Sequence, residues 1–260
     1  MKKVLFSFLL TFIALSCNNN NNVMSPSRYS REEIDKKYPY WKVGVSKFWV
    51  EEKNEYIELT VTEKKLYLRS LALMRLAINT EEFVEAFKKD AANFIADVTV
   101  SKDEGAVFPC KEGDLLDIDR LITIIRAFEN NVEYGKGVHK SDTAYANGGA
   151  YYYALYGSSN DFYIGKSIWF PNHYLVQWSG GDLAYFSALA FHEHLHHMGF
   201  THNNGTVYSM QGTLQNLEYR IDGGDLTEKY REAFDELTMY YFNEYKHLLM
   251  SSTVYDPNNN

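Results

Sequence analysis

The chain has little cysteine: two residues in 260, Cys17 and Cys110. A disulfide framework of the kind that staples small secreted domains is therefore excluded. It has no basic excess either, with 26 Lys and Arg against 34 Asp and Glu and a formal net charge of −8. Without a basic stripe to neutralise phosphates, a nucleic-acid surface is excluded, and peptides or sugars become the expected partners. There is no internal repeat and no block of like charge, and the apolar run from Val4 to Ala14 is too short to span a bilayer comfortably. What is present is 16% aromatic and 45% hydrophobic residue content, enough for one large domain or two small subdomains sharing a core.

At the start, "MKKVLFSFLLTFIALSC" places Lys2 and Lys3 ahead of that apolar run, the layout of a secretory signal. The segment resembles a bacterial lipoprotein signal, in which small residues precede a cysteine that is lipidated and becomes the mature N-terminus. The resemblance implies removal of residues 1–16 and a lipid anchor on Cys17, although Ala14 stands where that pattern usually has leucine; plain secretion is the alternative. Either way the protein is expected outside the cytoplasm, anchored to the cell envelope and facing the periplasm or exterior, or secreted. The polar stretch "NNNNNVMSPS" then reads as part of a flexible tether over 17–37. With Cys17 lipidated, Cys110 has no intrachain partner, and beside Phe108 and Pro109 it reads as an inert buried thiol rather than a reactive one.

The pattern of elements is that of an α+β domain over 38–250, followed by a disordered tail over 251–260. "TEKKLYLRSLALMRLAI" predicts a helix and "NTEEFVEAFKKDAANF" a second, with Asn79 and Glu82 spaced as a capping box. "IADVTV" reads as a short strand, and Asp114 to Asn130 as another amphipathic helix. From Val132 to Trp178, aromatic and β-branched runs broken by glycine, asparagine and proline predict a sheet, antiparallel in part. "SGGD" supplies an N-cap at Ser179 or Asp182 for the helix "LAYFSALAFHEHLHHM", which ends at Gly199. A loop to about Gly224 follows. Asp225 and Glu228 then open a long closing helix that carries Tyr230, Phe234, Leu237, Tyr241 and Leu248.

Five of the eight histidines fall within "FHEHLHHMGFTH", residues 191–202. Residues four apart on a helix lie about 40° apart around the axis and roughly 6 Å along it, so His192 and His196 present imidazoles to one point. Two neutral imidazoles so placed suit zinc. Glu193, about 100° further round, can reach water held on the metal without binding the metal itself. Gly199 can take the left-handed conformation that ends the helix and reverses the chain, returning His202 toward the ion. Three neutral ligands would leave an open position for water. His194 and His197 point elsewhere and read as surface or hydrogen-bonded side chains.

His192, Glu193, His196, Gly199 and His202 match H-E-x-x-H-x-x-G-x-x-H at all five specified positions, and in this the chain resembles the metzincin zinc endopeptidases. The resemblance implies a metzincin-like zincin: an N-terminal subdomain of twisted mixed sheet and helices including the active-site helix, and a smaller C-terminal subdomain with the long closing helix. It implies one catalytic Zn2+ on His192, His196 and His202, and hydrolysis of peptide bonds by attack of zinc-bound water with Glu193 as general base. It also implies a methionine turn beneath the metal, for which Met210 is available; ordinary core filling is the alternative. Gly212 stands where some members have a tyrosine, and Tyr208 is assigned no role. "NHYLVQW" occupies the place of the substrate-binding edge strand, or is an ordinary sheet strand. A monomer acting on peptide or protein substrates, with no nucleic acid, is the expected assembly.

Two other readings stand beside this one. A gluzincin-type peptidase would take its third ligand from a later helix, where Glu232 and Glu236 lie. A non-catalytic zinc-binding lipoprotein would use the histidines to capture metal, but would leave Glu193 without a purpose.

Overall fold

The computed structural model describes residues 30–50, 58–137, 147–148, 167–171 and 181–255. The leader, Cys17, Ser179 and the segment Asn172–Trp178 lie outside the described residues.

Local caps set most helix starts. Ser30 and Glu33 exchange side-chain and backbone hydrogen bonds to open α1 (Arg31–Lys37), which buries Ile34 completely. Residues 31–37 therefore belong to the fold, which corrects the reading of 17–37 as tether. Strand β1 (Lys42–Val50) follows, then α2 (Val61–Ile78), opened by the same reciprocal box between Thr60 and Glu63. The cap of α3 (Glu81–Lys89) is Thr80, one residue later than expected. Asn79 instead ends α2, its amide bridging to both backbone groups of Tyr40 and to the Arg75 carbonyl. Helix α4 (Ile118–Ala127) starts after Asp117 and is shorter than the expected 114–130, because Phe128 turns extended and leads into β2 (Glu129–Gly137). "IADVTV" forms two isolated bridges, Ile95 to Leu115 and Val100 to Cys110, instead of a strand.

Short strands β3 (Asn147–Gly148) and β4 (Ser167–Pro171) precede α5 (Leu183–His197), whose cap is Asp182. The expected loop to Gly224 is instead a helix, α6 (Thr206–Ile221), with Val207, Met210, Leu214, Leu217 and Ile221 on its buried side. Asp225 does not cap the next helix; it pairs with Arg220, and α7 (Thr227–Glu244) begins after Leu226. The closing helix breaks at Tyr245 into α7 and α8 (Lys246–Met250), and residues 254–255 of the expected disordered tail form β5 (Val254–Tyr255).

The five strands make one sheet in the order β3-β4-β2-β1-β5. All neighbours run parallel except β3, which is antiparallel to β4 at the edge. The chain is therefore mixed α and β, and the expected antiparallel part of the sheet is confined to the β3–β4 pair, the other pairings being parallel. Helices α2 and α5 are buried nearly all round and sit centrally: α2 buries fourteen of its eighteen residues, Glu63, Lys64, Ser70 and Arg75 among them, and packs on α5, α6 and α7. One continuous core runs from Ile34 to Leu249, so the residues after Gly199 share the core of those before it rather than forming a separate smaller subdomain. Inside it Lys136 pairs with Glu63 at 2.8 Å and donates to the Glu58 backbone carbonyl at 3.0 Å. No helix among the described residues is long and apolar enough to cross a membrane.

Candidate metal centre

The three expected ligands meet. His192 and His196 project from the last two turns of α5, and His202 returns to them from the loop beyond. The return is made by a Schellman motif: Phe200 N–H donates to the Leu195 carbonyl at 3.0 Å and Gly199 N–H to the His196 carbonyl at 2.9 Å. Gly199 sits at φ 100°, a region costly for any residue with a β-carbon.

The Nε2 atom of His202 lies 2.8 Å from Nε2 of His192 and 3.0 Å from Nε2 of His196. On their far sides, His192 Nδ1–H donates to Gln211 Oε1 at 2.8 Å and His196 Nδ1–H to the Phe200 carbonyl at 2.8 Å. Those two acceptors fix both rings with bare lone pairs at Nε2. Only His202 can then place a proton among three nitrogens, and it can satisfy one neighbour only. The lone pairs left facing one another are relieved by a cation, so the residues fit a metal. Tetrahedral zinc with N–Zn bonds near 2.05 Å needs N···N separations of about 3.3 Å, an opening of a few tenths of an ångström.

Burial, then repulsion from the other two rings, holds His192 down to about 3. Burial also lowers His196. Neutral imidazole is the form that ligates. Glu193 is pushed up to about 8 by burial alone. Tyr208, 57% exposed on the first turn of α6, lies flat against His202 with ring centres 5.0 Å apart and leans on His192 at 4.9 Å.

Met210 is fully buried within α6, so the turn expected there is replaced by helix and the residue fills the core. His194 is no surface group: it is fully buried, with Nε2 3.0 Å from the Tyr134 hydroxyl and its ring edge-on to Trp41. His197 is likewise buried. Glu236 accepts from Lys37 at 2.6 Å, and neither it nor Glu232 joins the ligand cluster.

Sequence reasoning missed three supports. Gln211 orients His192. Trp41, at the strained φ of 57°, backs α5 through Phe191 and His194. Asp97, 1% exposed, accepts from Thr201 N–H at 2.8 Å and from Asn204 N–H at 3.1 Å. A polar cavity of about 710 Å³ elsewhere, among Arg31, Lys42, Arg75 and Tyr245, touches none of the three histidines. Its cations are already paired, with Glu244, Glu129 and Asp35.

The chain matches no family model, and comparison with curated proteins and with solved structures yields no match.

Proposed function

We propose that the chain is a zinc-dependent endopeptidase of metzincin type, secreted or lipid-anchored through Cys17. The observation that carries this reading is the convergence of three Nε2 atoms, two of them with lone pairs turned inward by Gln211 and the Phe200 carbonyl. Zinc held there would supply a Lewis-acid position and a positive charge that returns the buried Glu193 to its carboxylate form.

His192, His196 and His202 hold the ion. Glu193 takes a proton from the attacking water, a role that its place one residue beyond His192 allows and that no histidine can fill while ligating. A metal-capture role is the competing reading, and it gives Glu193 no task. Against the gluzincin reading, Glu236 is engaged by Lys37 and His202 occupies the third position.

The deciding experiment compares wild type with Glu193→Gln for bound zinc and for cleavage of a broad peptide library. One zinc per chain in both, with turnover only in wild type, is expected. Wild type that binds zinc yet cleaves nothing would move the protein to the capture class.

A further inference from the structure

The third ligand is the one that the helix does not place. His202 is exposed, on a loop that leaves α5 at Gly199, and its position depends on what holds that loop. Three consecutive residues hold it, all from the segment after α3. Ile95 exchanges hydrogen bonds with Thr206, whose hydroxyl accepts from Ile95 N–H at 2.9 Å and donates to the Ile95 carbonyl at 2.6 Å. The Ala96 carbonyl accepts from the Asn204 side chain at 2.6 Å. Asp97 takes the backbone N–H groups of Thr201 and Asn204, one on each carboxylate oxygen, so its two bonds bracket His202.

The brace is itself braced. Ala96 N–H donates to the Asp114 carbonyl, Gly113 N–H to the Ala96 carbonyl and Leu116 N–H to the Phe94 carbonyl, which ties 94–97 to 113–116. Charge-assisted bonds from a buried carboxylate to backbone N–H groups are among the stronger hydrogen bonds a protein makes. They hold the loop in the shape that brings His202 to the other two rings.

We propose that Asp97 is the positioning residue of the metal centre, acting through His202, and that residues 94–116 serve as the template that presents the third ligand. The inference rests on the metal-site reading above. Asp97→Asn keeps the shape but puts an amide N–H2 group or a neutral oxygen against each backbone N–H, so at most one of the two bonds survives. The loop then has to be ordered by the metal, and the ordering free energy is subtracted from binding.

The test is chelator-competition zinc affinity, with the visible spectrum of the cobalt-substituted protein, for wild type, Asp97→Asn, His202→Ala and the double variant. Asp97→Asn should weaken zinc by about 10- to 100-fold and shift the cobalt bands toward those of His202→Ala. In the His202→Ala background the same change should do nearly nothing, because the residue it positions is gone. Asn204→Ala, a milder cut in the same brace, should weaken zinc less, and serves where Asp97→Asn does not fold. Unchanged zinc affinity in a folded brace variant overturns the proposal, as does an equal loss from Asp97→Asn with and without His202. Wild type that binds no zinc or cobalt sinks the metal-site reading itself, a result distinct from either.

Discussion

His192 and His202 stand ten residues apart in sequence, yet their Nε2 atoms are 2.8 Å apart. Nε2 of His202 is also 3.0 Å from that of His196, while Nδ1 of His192 is committed to Gln211. The three nitrogens are close enough to hold one metal ion, and the proposed metal site is tested first at this contact.

His202→Ala should leave only weak two-histidine binding that does not survive dialysis, and should abolish peptide hydrolysis while leaving the fold intact, because the residue is exposed and packs only on the rings of His192, His196 and Tyr208. Metal analysis of the dialysed variant reads the result. Zinc retained at one per chain would point to a different third ligand.

Gln211, bonded to Nδ1 of His192, leaves Nε2 as the nitrogen that faces the other two histidines. Gln211→Leu removes the acceptor that fixes the tautomer and should weaken zinc about 10- to 100-fold, whereas Gln211→Glu keeps an acceptor and should hold or raise affinity. Equal affinities for the two variants in chelator competition would show that the hydrogen bond has no bearing on ligation.

Gly199→Ala forces a β-carbon into φ 100°. The expected loss is about 1–2 kcal/mol of stability, read from urea denaturation of the metal-free protein. Because the same turn carries the Phe200 carbonyl that orients His196, zinc affinity should fall with it. A variant as stable and as tight as wild type would mean that the reversal is not set at this residue.

Glu218 gives a pH signature away from the metal. It is fully buried between α6 and α5, with Oε1 accepting from Ser187 at 2.7 Å, and burial pushes its carboxyl well above its ordinary value of 4.5. Above that value the unfolded chain loses the proton and the folded chain keeps it, so stability falls as pH rises, by at most about 1.4 kcal/mol per unit. The fall ends once the folded-state value is passed. Glu218→Gln removes this loss: its melting temperature should match wild type near pH 4 and exceed it increasingly toward neutrality. Parallel pH curves for the two proteins would contradict a protonated Glu218.

The legible part of the site was the part encoded within one turn of helix and one reversal. His192, His196, Gly199 and His202 were readable because helical geometry and a glycine's freedom act over a few residues. Helix α6 was also written in the sequence, as the recurrence of Val207, Met210, Leu214, Leu217 and Ile221. The expected loop with a methionine turn at Met210 is replaced by this helix. The Asn79 box failed by one residue because the Asn79 amide is already bonded to Tyr40 and to the Arg75 carbonyl, which leaves Thr80 beside it to cap α3. Burial of His194 had no local sign at all, since a polar residue on a polar-looking stretch is buried only when another element, here Trp41 with Tyr134, closes over it.

The sequence by itself determined the donor set and its spacing, the helix that carries two ligands and the reversal that offers the third, because these depend on backbone geometry over at most a few residues. Tertiary structure alone decided which nitrogens face inward and what keeps His202 in reach. Gln211 comes from the next helix and Asp97 from more than a hundred residues upstream, and contacts at such separations arise only when the core has brought their elements together.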